Sequence, residues 1–191
     1  IVTAMRYGVA RGIYSNEAGY GTAAVAYGTA KTNRPSQQGL QAVMEVFIVT
    51  FVTGTISALV ILLTGVAETS IAARAAGGEF LTSTAAVASA FNMAVPVAGG
   101  WVVAVCAFLF GYTTLIGWAY YGEQFLEYIF GRSVTAPYRY IYCLLIPFGA
   151  IVRPEVVWAW GDLMNGLQIF PNVIGLIGLS GIVAAFAKEK N

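Results

Sequence analysis

Histidine is absent from the 191 residues, aspartate occurs only at Asp162, and cysteine only at Cys106 and Cys143. These absences remove whole classes of chemistry. Without histidine there is no Ser-His or Cys-His pair and no His-Cys metal cluster, and a lone aspartate rules out a paired-aspartate protease. Both cysteines fall in apolar runs, where a thiol behaves as a small hydrophobe. The chain is therefore not expected to be an enzyme. Charge is scarce too: 10% of residues are Asp, Glu, Lys or Arg, against about 25% in soluble domains. Hydrophobic residues make up 58%, and the mean hydropathy is +0.73. A net charge of +1 offers no basic face for nucleic acid. So few charges cannot cover a core in water. The solvent this chain suits is lipid.

Four stretches read as membrane spans: 39–65, 100–130, 138–152 and 172–187. About 20 apolar residues cross a bilayer core, and the first stretch carries no charge between Val46 and Leu63. Gln38, Gln41, Glu45, Thr53 and Ser57 fall there at helical spacing, which gives one polar face toward a bundle. The third stretch is short and contains Pro147, so a kink is expected. In the fourth, Gly175, Gly178 and Gly181 permit close helix contact. Residues 156–170, with Trp158, Trp160, Asp162 and Asn165, fit an interfacial or half-inserted helix as well as a short span.

Residues 1–37 are too polar to span. A turn at Ser15-Asn16 with Ser15 as N-cap is expected, then a small-residue helix over 22–32. Residues 66–99 read as a long loop with a short helix over 82–94 that Pro96 ends. The fold class is all-α, a polytopic helical membrane protein. The chain opens on Ile1 without a signal-peptide pattern. It reads as the C-terminal fragment of a longer membrane protein, truncated at its amino end.

Basic residues orient the spans. Arg6, Arg11, Lys31 and Arg34 put loop 1–37 inside, while 66–99, with Arg74 as its sole basic residue, falls outside. Arg132 and Arg139 mark an inside turn, and Lys188 and Lys190 reach the inside if 156–187 crosses once. Four crossings satisfy the rule; five would leave a basic tail outside.

Two segments carry the candidate chemistry. Arg11-Gly12-Ile13-Tyr14-Ser15-Asn16-Glu17-Ala18-Gly19 places polar, glycine-rich backbone just before an apolar run. Such backbone is tolerated beside lipid only where it faces protein or a water-filled cavity. Arg11 and Glu17 are spaced to pair across the turn, either as a gate that rearranges or as a static brace. In Thr113-Thr114-Leu115-Ile116-Gly117-Trp118, helical spacing stacks Thr114 and Trp118 on one face, and Gly117 leaves room beside them. Threonine oxygens suit Na⁺, and an indole can wall off a small side chain. Ordinary packing with threonines bonded back to the i−4 carbonyl fits the same spacing. Glu123 and Glu127 are either wet interfacial acids or part of an ion path, with Arg132 or Arg139 as partners. Glu45, with Gln41 one turn before it, is either a functional acid or a structural hydrogen-bonded site.

Arg11-Gly12-Ile13-Tyr14-Ser15-Asn16-Glu17-Ala18-Gly19-Tyr20-Gly21-Thr22 resembles the RG-x-[FY]-SNEAG-x-G-[ST] motif of the sodium:alanine (alanine or glycine:cation) symporter family. Gln38-Gly39-Leu40 with Glu45-Val46-Phe47 is similar to that family's next helix. Thr113-Thr114-Leu115-Ile116-Gly117-Trp118 with Tyr120-Tyr121-Gly122-Glu123 resembles its [ST]T-x-x-GW-x-YYGE segment, and Pro171-Asn172 its closing PN segment. Ala24 and Tyr27 stand where the family usually has proline and histidine, and Val49 where an acid is common.

The resemblance implies the second half of a leucine-transporter-like inverted-repeat fold, with substrate and sodium near the midplane. It implies sodium-coupled symport of a small neutral amino acid, alanine or glycine, across the cell (plasma) membrane by alternating access. Thr114 and Trp118 would contact substrate, and Thr113 or Thr114 would ligate Na⁺. Arg11, Ser15, Asn16 and Glu17 would lie in a gating loop on the cytoplasmic side. The rivals are a proton-coupled carrier using Glu45 or Glu123, and a non-transporting membrane scaffold subunit.

The orientation is directly testable. In a full-length protein freed of Cys106 and Cys143, cysteine at Ser83 is expected to react with impermeant reagent from outside and cysteine at Ser36 from inside. Labelling of both from one side would sink the four-crossing topology.

Overall fold

A computed structural model of the chain describes residues 2–78, 80–81 and 83–188. Ile1, Glu79, the tail residues Glu189, Lys190 and Asn191, and Thr82 (first residue of the helix expected over 82–94) lie outside the described residues. Among the described residues there are helices and turns and no strand, as an all-α chain requires. In chain order the helices are α1 (Val2–Ser15), α2 (Thr22–Tyr27), α3 (Pro35–Phe47), α4 (Gly54–Leu63), α5 (Val66–Ala75), α6 (Ser83–Ala94), α7 (Ala98–Phe130), α8 (Thr135–Ile151) and α9 (Pro154–Lys188). A π-helical stretch, Ile48–Thr53, joins α3 to α4, and a 3₁₀ turn, Arg132–Val134, precedes α8. Three continuous helical runs, 35–63, 98–130 and 154–188, are long and apolar enough to cross a membrane. Their apolar windows are left bare by the rest of the chain, which suits lipid or further protein.

Several local expectations give way to stronger physics. The segments 156–170 and 172–187 are one helix, α9, which passes through Pro171. Proline there forfeits the bond to the carbonyl four residues back, but stopping the helix would orphan several backbone groups in an apolar setting. α8 runs on through Pro147, as the span expected over 138–152 has it, and at 17 residues it lies at the short end of what can span. Residues 66–99 are mostly helical rather than loop, because alanine-rich α5 and α6 follow the left-handed Gly65 (φ +69°) and stop ahead of Pro96. The helix expected over 22–32 ends at Tyr27, where Gly28 caps it. Ser15 is the last residue of α1 and not an N-cap; Gly21 (φ +81°) occupies that position for α2. Within the first run, crowded β-branched side chains (Ile48, Val49, Thr50, Val52 and Thr53) coincide with the π-helical stretch. Its wider turns shift the register of the polar face, so Thr53 and Ser57 do not simply continue the row begun by Gln38, Gln41 and Glu45.

The chain forms two compact units. In residues 45–116, α4, α5 and α6 pack together around Val66, which is fully buried. The buried Ser70 hydroxyl accepts the Leu81 N–H at 2.8 Å and so ties the α5–α6 connection down. Gly99 lets α7 begin hard against the Phe91 carbonyl, where a Cβ could not fit.

The other unit holds residues up to Met44 and from Gly117 onward. Its α7–α8 hairpin is fastened near the turn. Arg139 donates from Nε and Nη2 to the two Glu123 oxygens, each at 2.6 Å, and Arg132 donates to Glu127 at 3.0 Å. Both acids therefore find the arginines that the sequence offered. Gly122 faces the Tyr138 hydroxyl so closely that any side chain would displace it.

The Glu123 side chain is 13% exposed and its partner Arg139 67% exposed, so the two-point bond is well made but partly screened by water. Glu123→Gln removes the charged acceptor and should lower the thermal midpoint of the purified full-length protein, read by a thiol-independent unfolding assay. An unchanged midpoint would show that the hairpin does not depend on it.

Candidate functional site

The polar segment 11–22 is folded by its own left-handed residues. α1 closes with the Asn16 N–H and Asn16 Nδ2 both donating to the Gly12 carbonyl, at 3.1 and 3.0 Å. Glu17 (φ +49°), Gly19 (φ +83°) and Gly21 (φ +81°) then reverse the chain. Glycine adopts such angles freely; Glu17 does so at a cost. Its carboxylate is held in return, because the buried Thr22 hydroxyl donates to Glu17 Oε2 at 2.6 Å. Tyr20 is 7% exposed, and its phenol is pushed above its ordinary pKa by burial first and by neighbouring Tyr14 and Asp162 next.

The same segment is fastened to α9. Arg11 reaches Asp162 through two bonds, Nη1 to Oδ1 at 3.3 Å and Nη2 to Oδ2 at 3.1 Å. Its guanidinium lies 3.9 Å from the centre of the Trp158 ring, and Tyr14 meets that ring edge-on at 5.3 Å. At the other end Asn172 Nδ2 donates to the Gly19 carbonyl at 2.9 Å. A Cβ on Gly21 would run into the Asn172 amide. The expected pairing of Arg11 with Glu17 is thus corrected. Glu17 turns to Thr22 within the turn, while Arg11 leaves the end of α1 toward the carboxylate and indole that α9 presents four residues apart.

Between the two attachments α9 carries buried amides. Asn165 is 7% exposed, and its Nδ2 has no acceptor among the described residues; Gln168 Oε1 is buried without a donor. Gln168 also lines a cleft of about 350 Å³ with Tyr20, Thr22, Phe125 and Asn172. Sequence reasoning passed over Asp162, Trp158 and Asn172 as partners of the turn. A single aspartate in an otherwise apolar helix was the available signal.

α7 carries the second candidate group. Thr113 donates to the Leu109 and Phe110 carbonyls, at 2.9 and 3.1 Å. Thr114 is exposed, and its hydroxyl has no hydrogen-bond partner among the described residues. Trp118, one turn later, is half-buried with its ring edge-on to Tyr121 at 5.9 Å. Donation to a backbone carbonyl leaves the Thr113 oxygen its lone pairs, so both threonines retain acceptor capacity for a cation. Among the described residues no cluster of three or more acidic or Cys side chains is placed to hold a metal.

The match to the sodium:alanine symporter family extends over residues 1–190, and the chain belongs to that family. It is 37% identical over 191 residues to the sodium/alanine symporter AgcS of Methanococcus maripaludis, covering all of this chain and 41% of that protein. It is 33% identical over 190 residues to the probable sodium/glutamine symporter GlnT of Bacillus subtilis, covering 97% of this chain and 37% of that one. It is 30% identical over 190 residues to a putative sodium/proton-dependent alanine carrier, YrbD, of the same organism, covering 93% and 38%. The chain spans about two fifths of the length of these relatives. Membership in a transporter family agrees with the reading that this is not an enzyme.

Gly21 is the backbone point on which the turn closes. A left-handed non-glycine residue costs about 1–2 kcal/mol, and here the Asn172 amide adds a collision. Gly21→Ala should destabilise the full-length protein by at least that order. Gly8→Ala, set in α1 with open space beside it, should be neutral or stabilising. Equal effects in thermal unfolding would show that the turn geometry is unimportant.

Proposed function

We propose that this chain forms the second half of a leucine-transporter-like inverted-repeat fold in a sodium-coupled symporter for a small neutral amino acid, alanine or glycine. It works by alternating access in the cell membrane. Family membership over nearly the whole chain is the observation that carries this reading. The names of two relatives, sodium/alanine and sodium/glutamine symporter, support both the coupling ion and the substrate class. The bilayer and the remainder of a family-length chain are its structural partners, and α8 is its fourth crossing.

Within that reading Thr114 and Trp118 contact the amino acid, and the Thr113 and Thr114 oxygens ligate Na⁺. A free hydroxyl at Thr114, one turn from an aromatic wall, supports the assignment. Arg11, Ser15, Asn16 and Glu17 form a gate on the cytoplasmic side, held by left-handed residues that a small backbone change can release. Sodium and amino acid must favour the same conformation, so each raises the affinity for the other by one factor. A proton-coupled carrier is the second reading, supported by a relative named sodium/proton-dependent. The Arg139 pair occupies Glu123 and weakens it as a proton site.

Uptake by the full-length protein, with sodium replaced by choline and with or without a pH gradient, separates the two. In the same assay Thr114→Ala is expected to weaken sodium activation and substrate affinity together. A hydroxyl lost from a desolvated site costs about 1–3 kcal/mol, roughly 5- to 150-fold. Trp118→Phe shortens the wall and should reorder alanine, glycine and serine while keeping the sodium requirement. Wild-type constants in Thr114→Ala would return this face to ordinary packing.

A further inference from the structure

The contacts made by segment 11–22 fall on one stripe of α9. Trp158, Asp162, Ile169 and Asn172 receive Tyr14, Arg11 and Gly19. With Asn165 they are spaced four, three, four and three residues apart, which is a single helix face. Asn165 lies inside that stripe, buried, with its amide N–H₂ lacking an acceptor among the described residues. The face is thus fastened on either side of a buried polar group that neither attachment satisfies.

We propose that this face of α9 is a reversible dock for segment 11–22, in which Asp162 and Trp158 hold the segment down and Asn165 opposes the closed arrangement. Its part as the closed position of the gate rests on the symport reading above. A buried donor without an acceptor favours any arrangement that lets water reach it. A static brace has no use for such a group, and an apolar residue of similar shape would serve better. Arg11 and Asp162 remain partly wet, with side chains 35% and 51% exposed. Their attraction is therefore modest and reversible. Two attachments of moderate strength set against one opposing group make a contact that can open.

Opposite signs from two substitutions on one face are the test. Hydrogen exchange in the backbone of 12–22, measured by mass spectrometry on the full-length protein in lipid discs, reports the opening equilibrium. Asp162→Asn should speed this exchange roughly tenfold, and Asn165→Leu should slow it roughly tenfold. Exchange in the α7–α8 hairpin should stay unchanged in both. Should Asp162→Asn fail to fold, Trp158→Leu removes the stacked ring, leaves the ion pair, and should speed exchange likewise. Unchanged or faster exchange in Asn165→Leu would overturn the dock, and so would unchanged exchange in the clasp variants. The measurement needs no transport. Opposite-signed exchange without sodium-dependent uptake keeps the dock and removes symport; intact uptake with same-signed exchange does the reverse.

Discussion

A polar group in an apolar helix must be satisfied from within the protein, and that constraint organises the half of this chain that can be followed in most detail. α9 runs for 35 residues with one acid in its interior, Asp162, and a handful of amides. Asp162 takes Arg11, and Asn172 takes the Gly19 carbonyl. These two bonds determine where the polar segment lies. The left-handed residues Glu17, Gly19 and Gly21 follow from it, because the chain has to reverse between two anchors about three turns apart on α9. Aromatic packing of Tyr14 on Trp158 then covers the guanidinium and raises the worth of a bond that would be weak in water.

What could be read beforehand followed from composition and periodicity. Scarce charge and long apolar runs led to an all-helical chain with the runs 35–63 and 98–130 where they are found. The Glu123 and Glu127 partners were legible because a short turn brings Arg132 and Arg139 back within reach. Contacts between residues about 150 positions apart were not legible. Nothing local in Arg11 distinguishes Glu17, six residues away, from Asp162, and only the fold decides. Helix ends failed for a different reason. Ser15 has a capping side chain, yet Gly21 starts α2, because the reversal demanded φ values that serine resists.

Proline misled at one place, Pro171, while the span expected through Pro147 is the helix α8. Pro147 and Pro171 are strong helix breakers in water, where freed carbonyls are solvated at once. In a helix surrounded by apolar groups the alternative to continuing is several orphaned backbone groups, each costing more than the one bond that proline removes. A sequence rule calibrated on soluble proteins therefore divides α9 where the chain does not. The same accounting explains why the alanine-rich segments of 66–99 are helical despite their serines, threonines and glycines.

Two arginine–carboxylate pairs in one unit show how surroundings assign different duties to the same chemistry. Arg139 and Glu123 are 16 residues apart across a tight hairpin, the bond is two-pointed at 2.6 Å, and the acid is nearly enclosed. Little chain entropy opposes its closure, and both carboxylate oxygens are engaged, so it acts as a fixed brace at the foot of α7. Arg11 and Asp162 are 151 residues apart, longer at 3.1 and 3.3 Å, and both partly exposed. That bond is held by its neighbours as much as by its own attraction, and it adjoins a buried amide that its closure does not satisfy. Strength and reversibility cannot both be maximal in one contact. The hairpin has the first, and the face of α9 has the second.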